Sequence, residues 1–127
     1  MSDPNIGAIE WRDLTIDNAE QVKNFYQDVV GWKTEPVSMG DYDDFNMMDA
    51  EGNTVAGVCH ARGSNAGLPP QWLMYVRVAD VDSSATTCEE SGGEVVYGPR
   101  DMGKDRFCVI RDPAGAVLAL YGSGKPA

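Results

Sequence analysis

No stretch of about 18 consecutive apolar residues occurs in this 127-residue sequence, so no segment reads as a membrane-spanning helix. The opening "MSDPNIGAIEW" has no basic region ahead of an apolar core, and no secretory leader is expected. Basic residues are scarce: 10 Lys and Arg stand against 20 Asp and Glu, a formal net charge of −10. Such a chain repels nucleic-acid phosphates and anionic membranes, so neither is expected as a partner. Cysteine is rare too. Cys59, Cys88 and Cys108 make an odd count with no Cys-x-x-Cys spacing. That excludes a disulfide framework and argues against a structural zinc site; the thiols read as small buried hydrophobes in a reducing, cytoplasmic setting. Histidine occurs once, so any imidazole chemistry has to run through His60.

What is present is the composition of an ordinary globular chain, with 43% hydrophobic and 24% charged residues, long enough for one domain. Its order repeats. "AIEWRDLTI" (residues 8–16) reads as a strand. "DNAEQVKNFYQDVVGW" carries Val22, Phe25, Tyr26, Val29 and Val30 at three- and four-residue steps, an amphipathic helix with Asn18 as N-cap and Gly31 as left-handed terminator. "WKTEPVSM", "DYDDFNMMD" and "TVAGVCHA" read as three strands, the last two joined by the turn "EGNT". "RGSNAGLPP" (residues 62–70) is linker-like. The order then restarts: strand "QWLMYVRV", helix "ADVDSSATTCEESGG" capped by Asp80 and ended at Gly92-Gly93, strands "EVVYGP" and "DRFCVIRD", the turn "PAG", and strand "AVLALYG". The prediction is α+β: two βαβββ modules in tandem, about 6–61 and 71–122, whose curved mixed sheets enclose a cavity.

"NFYQDVVGW", "VRVADVD" and "DPAGAVLAL", in that order with the duplication, resemble the vicinal oxygen chelate superfamily, the glyoxalase, bleomycin-resistance and extradiol dioxygenase fold. The resemblance runs from about residue 6 to residue 122. It implies a cavity between modules where catalytic members hold one divalent metal on His, Glu or Gln from the first and last strand of each module. Carried over, those four positions are Trp11, Ala56, Leu73 and Ala119, none of which donates to a metal. Slipping by one residue reaches Glu10 but turns to the other sheet face. The expectation is therefore a member without the usual metal and with no other cofactor. The resemblance also implies a homodimer, with or without module exchange across the linker.

Period-2 alternation then places Ile9 and Asp13 with Trp11, Thr54, Val58 and His60 with Ala56, Gln71 and Tyr75 with Leu73, and Val117 and Tyr121 with Ala119. The inferred ligand-binding set is Trp11, Asp13, Ala56, Val58, His60, Leu73, Tyr75, Ala119 and Tyr121, an apolar floor edged by polar groups that suits a small aromatic or amphipathic molecule. His60, Asp13 or a Tyr would be the acid–base group if the chain is a metal-independent lyase or isomerase; a dimeric interaction scaffold is a further alternative. A strand-end His60 turned to solvent or to the linker and a wet Asp13 are the plainer readings. Inside, Asp13 needs a partner, with Arg12, Arg77 or Arg100 available. Trp72 faces outward, toward an intermodule or dimer surface. The clustered carboxylates of residues 41–45 read as a solvated hairpin, and "GPRDMGKDR" (residues 98–106) reads as a loop able to cover a pocket or simply join two strands.

Overall fold

The computed structural model describes residues 4–123. Its elements run β1 (Ile9–Ile16), α1 (Ala19–Val30), β2 (Lys33–Ser38), β3 (Asp43–Met48) and β4 (Thr54–His60), then a 3-10 turn at Gly63–Asn65, and β5 (Trp72–Arg77), α2 (Val81–Glu90), β6 (Glu94–Met102), β7 (Asp105–Arg111) and β8 (Val117–Ser123). This is the expected α+β order, βαβββ twice. The chain forms two compact units, residues 11–72 and residues 4–10 with 73–123.

In the first unit the strand order is β2-β3-β4-β1, with β1 parallel to β4 and the remaining pairs antiparallel. Ala19, Phe45, Met47, Ala56 and Val58 make the core against α1, with Ile16, Tyr26, Trp32 and Trp72 packed on it. Trp72, the first residue of β5 and expected on an intermodule or dimer surface, is one of those packed on it. Its ring meets those of Tyr26 and Trp32 at 5.3 and 5.7 Å, and its Nε1 donates to the Tyr26 hydroxyl at 3.0 Å. A large ring with one polar atom finds both apolar contacts and an acceptor there.

The second unit repeats the plan with the order β5-β8-β7-β6, β5 parallel to β8. Val81, Ala85, Cys108 and Leu120 form its core against α2, joined by Val76, Val78, Val95, Ile110 and Leu118. Residues ahead of β1 belong to this unit: the Gly7 amide donates to the Arg77 carbonyl at 2.7 Å, and the Arg77 amide donates to the Ala8 carbonyl at 2.9 Å.

The helix ends correct one expectation. Asp80 caps α2 by accepting from the Ser83 amide at 3.2 Å, but the Asn18 side chain does not cap α1; its Nδ2 donates to Gln21 Oε1 at 3.1 Å instead. Gly92, at φ 95°, is the left-handed residue of the pair that ends α2, and Gly31 closes α1 as expected at φ 84°. Asp80→Ala should cost about 1 kcal/mol of stability. Asn18→Ala should cost only about 0.2–0.5 kcal/mol, the worth of an exposed side-chain pair one turn apart. Urea denaturation of both variants checks the order; equal losses would show that Asn18 caps in solution.

Residues 98–106 join two strands, as the plainer expectation had it, and most of them are strand rather than loop. β6 continues to Met102 and β7 begins at Asp105, so the pair is a hairpin with Gly103 and Lys104 between the strands. Gly and Pro hid this extension. Gly98, at φ 78°, and Pro99 form an irregularity inside β6, where the pairing steps from Tyr97↔Val109 to Arg100↔Phe107.

Candidate functional site

In a sheet, residues paired across neighbouring strands point to the same face. In the first unit Asp13 pairs with Gly57, Leu14 with Val58 and Ile16 with His60. Asp13 thus shares a face with Gly57, away from α1, while Ala56 and Val58 belong to the core that includes Ala19 of α1. The expected grouping of Trp11 and Asp13 with Ala56, Val58 and His60 does not hold; these two sets lie on opposite faces. The cause is a bulge. Met47 pairs with Ala56 but Met48 with Thr54, leaving Val55 as an extra residue that reverses the alternation of β4. Thr54, expected inside, is exposed.

The same bulge corrects the internal repeat. Asp13 and Tyr75 each stand five residues before a helix cap position, Asn18 and Asp80. Asp13 pairs with Gly57 and Tyr75 with Ala119. The counterpart of Ala119 is therefore Gly57 rather than Ala56. A Cβ added at Gly57 would stand 3.3 Å from both Asp13 Cβ and the Trp11 ring, so the position is closely covered.

Around it the first unit's face is polar. Trp11 Nε1 donates to Asp13 Oδ2 at 3.3 Å. Burial, then the Asp13 and Asp44 carboxylates, push the Cys59 thiol up to about 12. Burial also pushes Cys108 up to about 11 and raises Cys88. None of the three is tuned as a nucleophile, which needs the thiolate near neutral pH. His60 is half-buried rather than turned to solvent. Its backbone N–H donates to Asp44 Oδ1 at 2.8 Å, its Nδ1 lies 3.4 Å from the same oxygen, and its ring meets Tyr42 edge-on at 5.2 Å. Asp44 is thus a buried structural acceptor, and Asp41 pairs loosely with Arg62 at 3.7 Å. His60 and Asp13, the two acid–base candidates, do not share a face.

The second unit keeps its expected grouping and adds to it. Tyr75, Ala119 and Tyr121 share the face opposite α2, together with Phe107 and Val109. Two rows of paired residues cross the four strands there. One runs Arg100, Phe107, Tyr121, Arg77; the next runs Tyr97, Val109, Ala119, Tyr75. The rings contact one another: Tyr97–Phe107 at 5.6 Å, Tyr75–Tyr121 at 6.1 Å and Tyr75–Phe107 at 6.4 Å between centroids. Phe107, Tyr75, Val109 and Ala119 are buried, while Tyr97, Tyr121, Arg77 and Arg100 form a half-buried rim. Leu73 is buried as well.

Polar groups close both ends of the outer row. Arg77 lies over the Tyr121 ring at 4.7 Å, and its Nε donates to Glu10 Oε1 at 2.7 Å. The Tyr121 hydroxyl donates to the same oxygen. Those two donors, Tyr121 first and Arg77 second, hold the Glu10 carboxyl below its usual range. Burial and the bond to Glu10 push the Tyr121 phenol up. At the other end Arg100 Nη1 donates to the Tyr97 hydroxyl at 2.8 Å. Glu10, Arg77, Tyr97, Arg100 and Phe107 were not in the expected site. Arg77 lies 67 positions from Glu10, and the irregularity in β6 brings Tyr97 and Arg100 to one face although they are three apart, so no local pattern announced either pair.

The four positions that the resemblance assigns to a metal fare no better with the register corrected. Trp11, Gly57, Leu73 and Ala119 offer no oxygen, imidazole or thiolate donor, and these residues do not fit a divalent ion. Among the described residues no group of three or more His, Cys, Asp or Glu is placed to hold one. No helix among the described residues is long and apolar enough to cross a membrane.

Two βαβββ units with this connectivity define a family, and the chain belongs to it: the Glyoxalase/Bleomycin resistance protein/Dioxygenase superfamily, whose sequence profile matches residues 6–120. Among its relatives, the anthracycline biosynthesis protein DnrV of Streptomyces peucetius is 29% identical over 131 residues, covering 93% of this chain and 48% of that protein. CFP32 of Mycobacterium tuberculosis is 30% identical over 122 residues, covering 95% and 45%. The chain spans about half the length of these curated relatives. An uncharacterized protein of Mycolicibacterium smegmatis, 27% identical, is matched over 98% of this chain and 99% of its own. The fold is shared with the crystal structure of methylmalonyl-CoA epimerase from Mycobacterium tuberculosis, at 15% identity and TM-score 0.52 over 98% of this chain and 94% of that one. It is also shared with a superfamily member from Vibrio splendidus 12B01, at 11% identity and TM-score 0.53 over 89% and 97%.

Proposed function

We propose that this chain binds a small planar aromatic or amphipathic molecule without a divalent metal. The observation that carries the reading is the face of the second unit, where Tyr75, Tyr97, Phe107 and Tyr121 surround the small floor residues Val109 and Ala119. Ring edges and faces at this spacing favour another flat ring, and the rim supplies a few directional donors. Two relatives are named for anthracycline biosynthesis, and anthracyclines are fused-ring aromatics, which agrees with this class of ligand.

Acid–base catalysis is the weaker reading on this geometry. A general base works best with its pKa near the operating pH. Here Glu10 is held low and Tyr121 is pushed up, both away from neutrality. His60 and Asp13 lie on opposite sheet faces.

Calorimetric titration with quinizarin, a neutral-to-weakly-acidic fused-ring probe, in buffer containing a chelator tests the proposal. Saturable binding in the micromolar range, unchanged when Zn2+, Mn2+ or Ni2+ replaces the chelator, is expected. Stoichiometric binding of one of these ions in the absence of probe, or ring binding that appears only with the ion, would overturn it.

A further inference from the structure

At the Arg77 end of the row Arg100–Phe107–Tyr121–Arg77, a guanidinium and a phenol border the aromatic face. Such a pair at the margin of a ring-binding face is what would receive a ligand's carboxylate. Here the chain supplies the carboxylate itself: Arg77 Nε donates to Glu10 Oε1 at 2.7 Å, and the Tyr121 hydroxyl donates to the same oxygen. We infer that Glu10 is a specificity residue of this face: it fills the corner that an acidic ligand would take, and so restricts the face to rings that bring no negative charge to this end. The inference deepens the ring-binding reading above and rests on it.

Three features support the assignment. First, the backbone holds Glu10 in place. The Gly7 amide donates to the Arg77 carbonyl at 2.7 Å and the Arg77 amide to the Ala8 carbonyl at 2.9 Å, which fixes the chain leading into Glu10 beside β5. Glu10 stands 67 positions from Arg77 and 111 from Tyr121, so the fold brings the trio together from β1, β5 and β8. Second, the groups that would bind an acid are committed. Arg77 lies over the Tyr121 ring at 4.7 Å with its charge matched by that of Glu10, and the Tyr121 proton is given to Glu10. What Tyr121 offers a ligand is then its ring, which meets that of Tyr75 at 6.1 Å and 75°. Third, the Glu10 side chain is 30% exposed, so its charge reaches the rim. A carboxylate brought beside it meets a like charge, and a repulsive group set against one class of ligand gives selectivity for another. The chain's net charge of −10 acts in the same direction at longer range.

The test is a set of titrations of the full chain with 2-naphthoate and with 2-acetylnaphthalene, a ketone with the same ring and nearly the same shape but no charge. The wild type should bind the ketone at least as tightly as the acid. Glu10→Ala should shift the ratio of the two affinities roughly tenfold toward the acid, the gain expected of one charge-assisted hydrogen bond from Arg77. Glu10→Gln, whose amide fills the corner without the charge, should shift the ratio the same way and by less. A wild type that prefers the acid would overturn the assignment of Glu10 while leaving the ring-binding reading in place. So would a Glu10→Ala variant with the wild-type ratio, because Glu10 would then only shape the face. Circular dichroism and the thermal midpoint establish that each variant is folded, and Glu10→Gln carries the test if Glu10→Ala is not. Binding of neither probe by the wild type or by either variant would overturn both readings.

Discussion

Ala119→Glu should lower the thermal midpoint by roughly 10–20 °C at pH 7, the largest effect expected of any single change at the site. Ala119 is 0% exposed and paired with Val109 on one side and Tyr75 on the other. A carboxylate placed there is an uncompensated buried charge, worth about 3–5 kcal/mol against the fold. The pH dependence follows from that burial. An acid whose folded-state pKa is raised above its unfolded value of about 4.3 penalises folding little below that pH and increasingly as pH rises toward the folded pKa. The gap in midpoint between variant and wild type should therefore be small at pH 4 and wide at pH 7. Added Zn2+, Mn2+ or Ni2+ should not close it, since Val109 and Tyr75, paired with Ala119 on either side, bring no carboxylate, imidazole or thiolate to complete a site. A midpoint within about 2 °C of wild type at pH 7 would contradict the burial of Ala119. A large metal-dependent rise would contradict the absence of donors around it.

Gly122→Ala is the second large effect, expected at about 3 kcal/mol, or roughly 10 °C in the midpoint. Gly122 lies in β8, and a Cβ there would overlap the backbone carbonyl of Val78, whose amide donates to the Tyr121 carbonyl at 2.8 Å. Backbone cannot swing aside as a side-chain tip can. The alternative is that glycine is needed only for its conformational freedom, and Gly115 separates the two ideas. Gly115 sits at φ 95° with open space around it, so Gly115→Ala suffers strain alone, about 1–2 kcal/mol. Thermal melts in which Gly115→Ala proved the more damaging would sink the packing account of Gly122. Because Gly122 follows Tyr121 directly, the same substitution should also weaken ring binding, through displacement of the phenol from Glu10.

The architecture was legible because its signals are local. Helix periodicity, Gly31 as terminator, Asp80 as cap and the matching turns at Gly52 and Gly115 each depend on a few consecutive residues, and together they give βαβββ twice. The cap at Asn18 was misread because a side chain able to cap can find another partner, here Gln21 one turn along. The hairpin of β6 and β7 was misread as a loop for a related reason. Gly98 and Pro99 are turn-forming residues, and only pairing with the neighbouring strand keeps them in a sheet.

Which of the candidate residues share a sheet face was legible in the second unit and not in the first, and the dividing line is strand regularity. β8 has an unbroken register with β7, so alternation from Ala119 correctly brought Tyr121 to its face. β4 carries one extra residue at Val55, so a count from the turn at Gly52 matched Ala56 rather than Gly57 to Ala119 and sent Ala56, Val58 and His60 to the wrong side.

The sequence by itself determined the order of elements, the duplication, the family, and the residue types at the four positions that the resemblance assigns to a metal. Each of these is a matter of residue identity or of spacing over a few residues. Only the tertiary structure decided that Gly57, not Ala56, answers to Ala119, that Glu10 joins Arg77 and Tyr121, and that Arg100 stands beside Tyr97 on the aromatic face. Those facts depend on which residues oppose one another across strands. A single extra residue in a strand changes that pairing without altering the local pattern from which a strand is recognised.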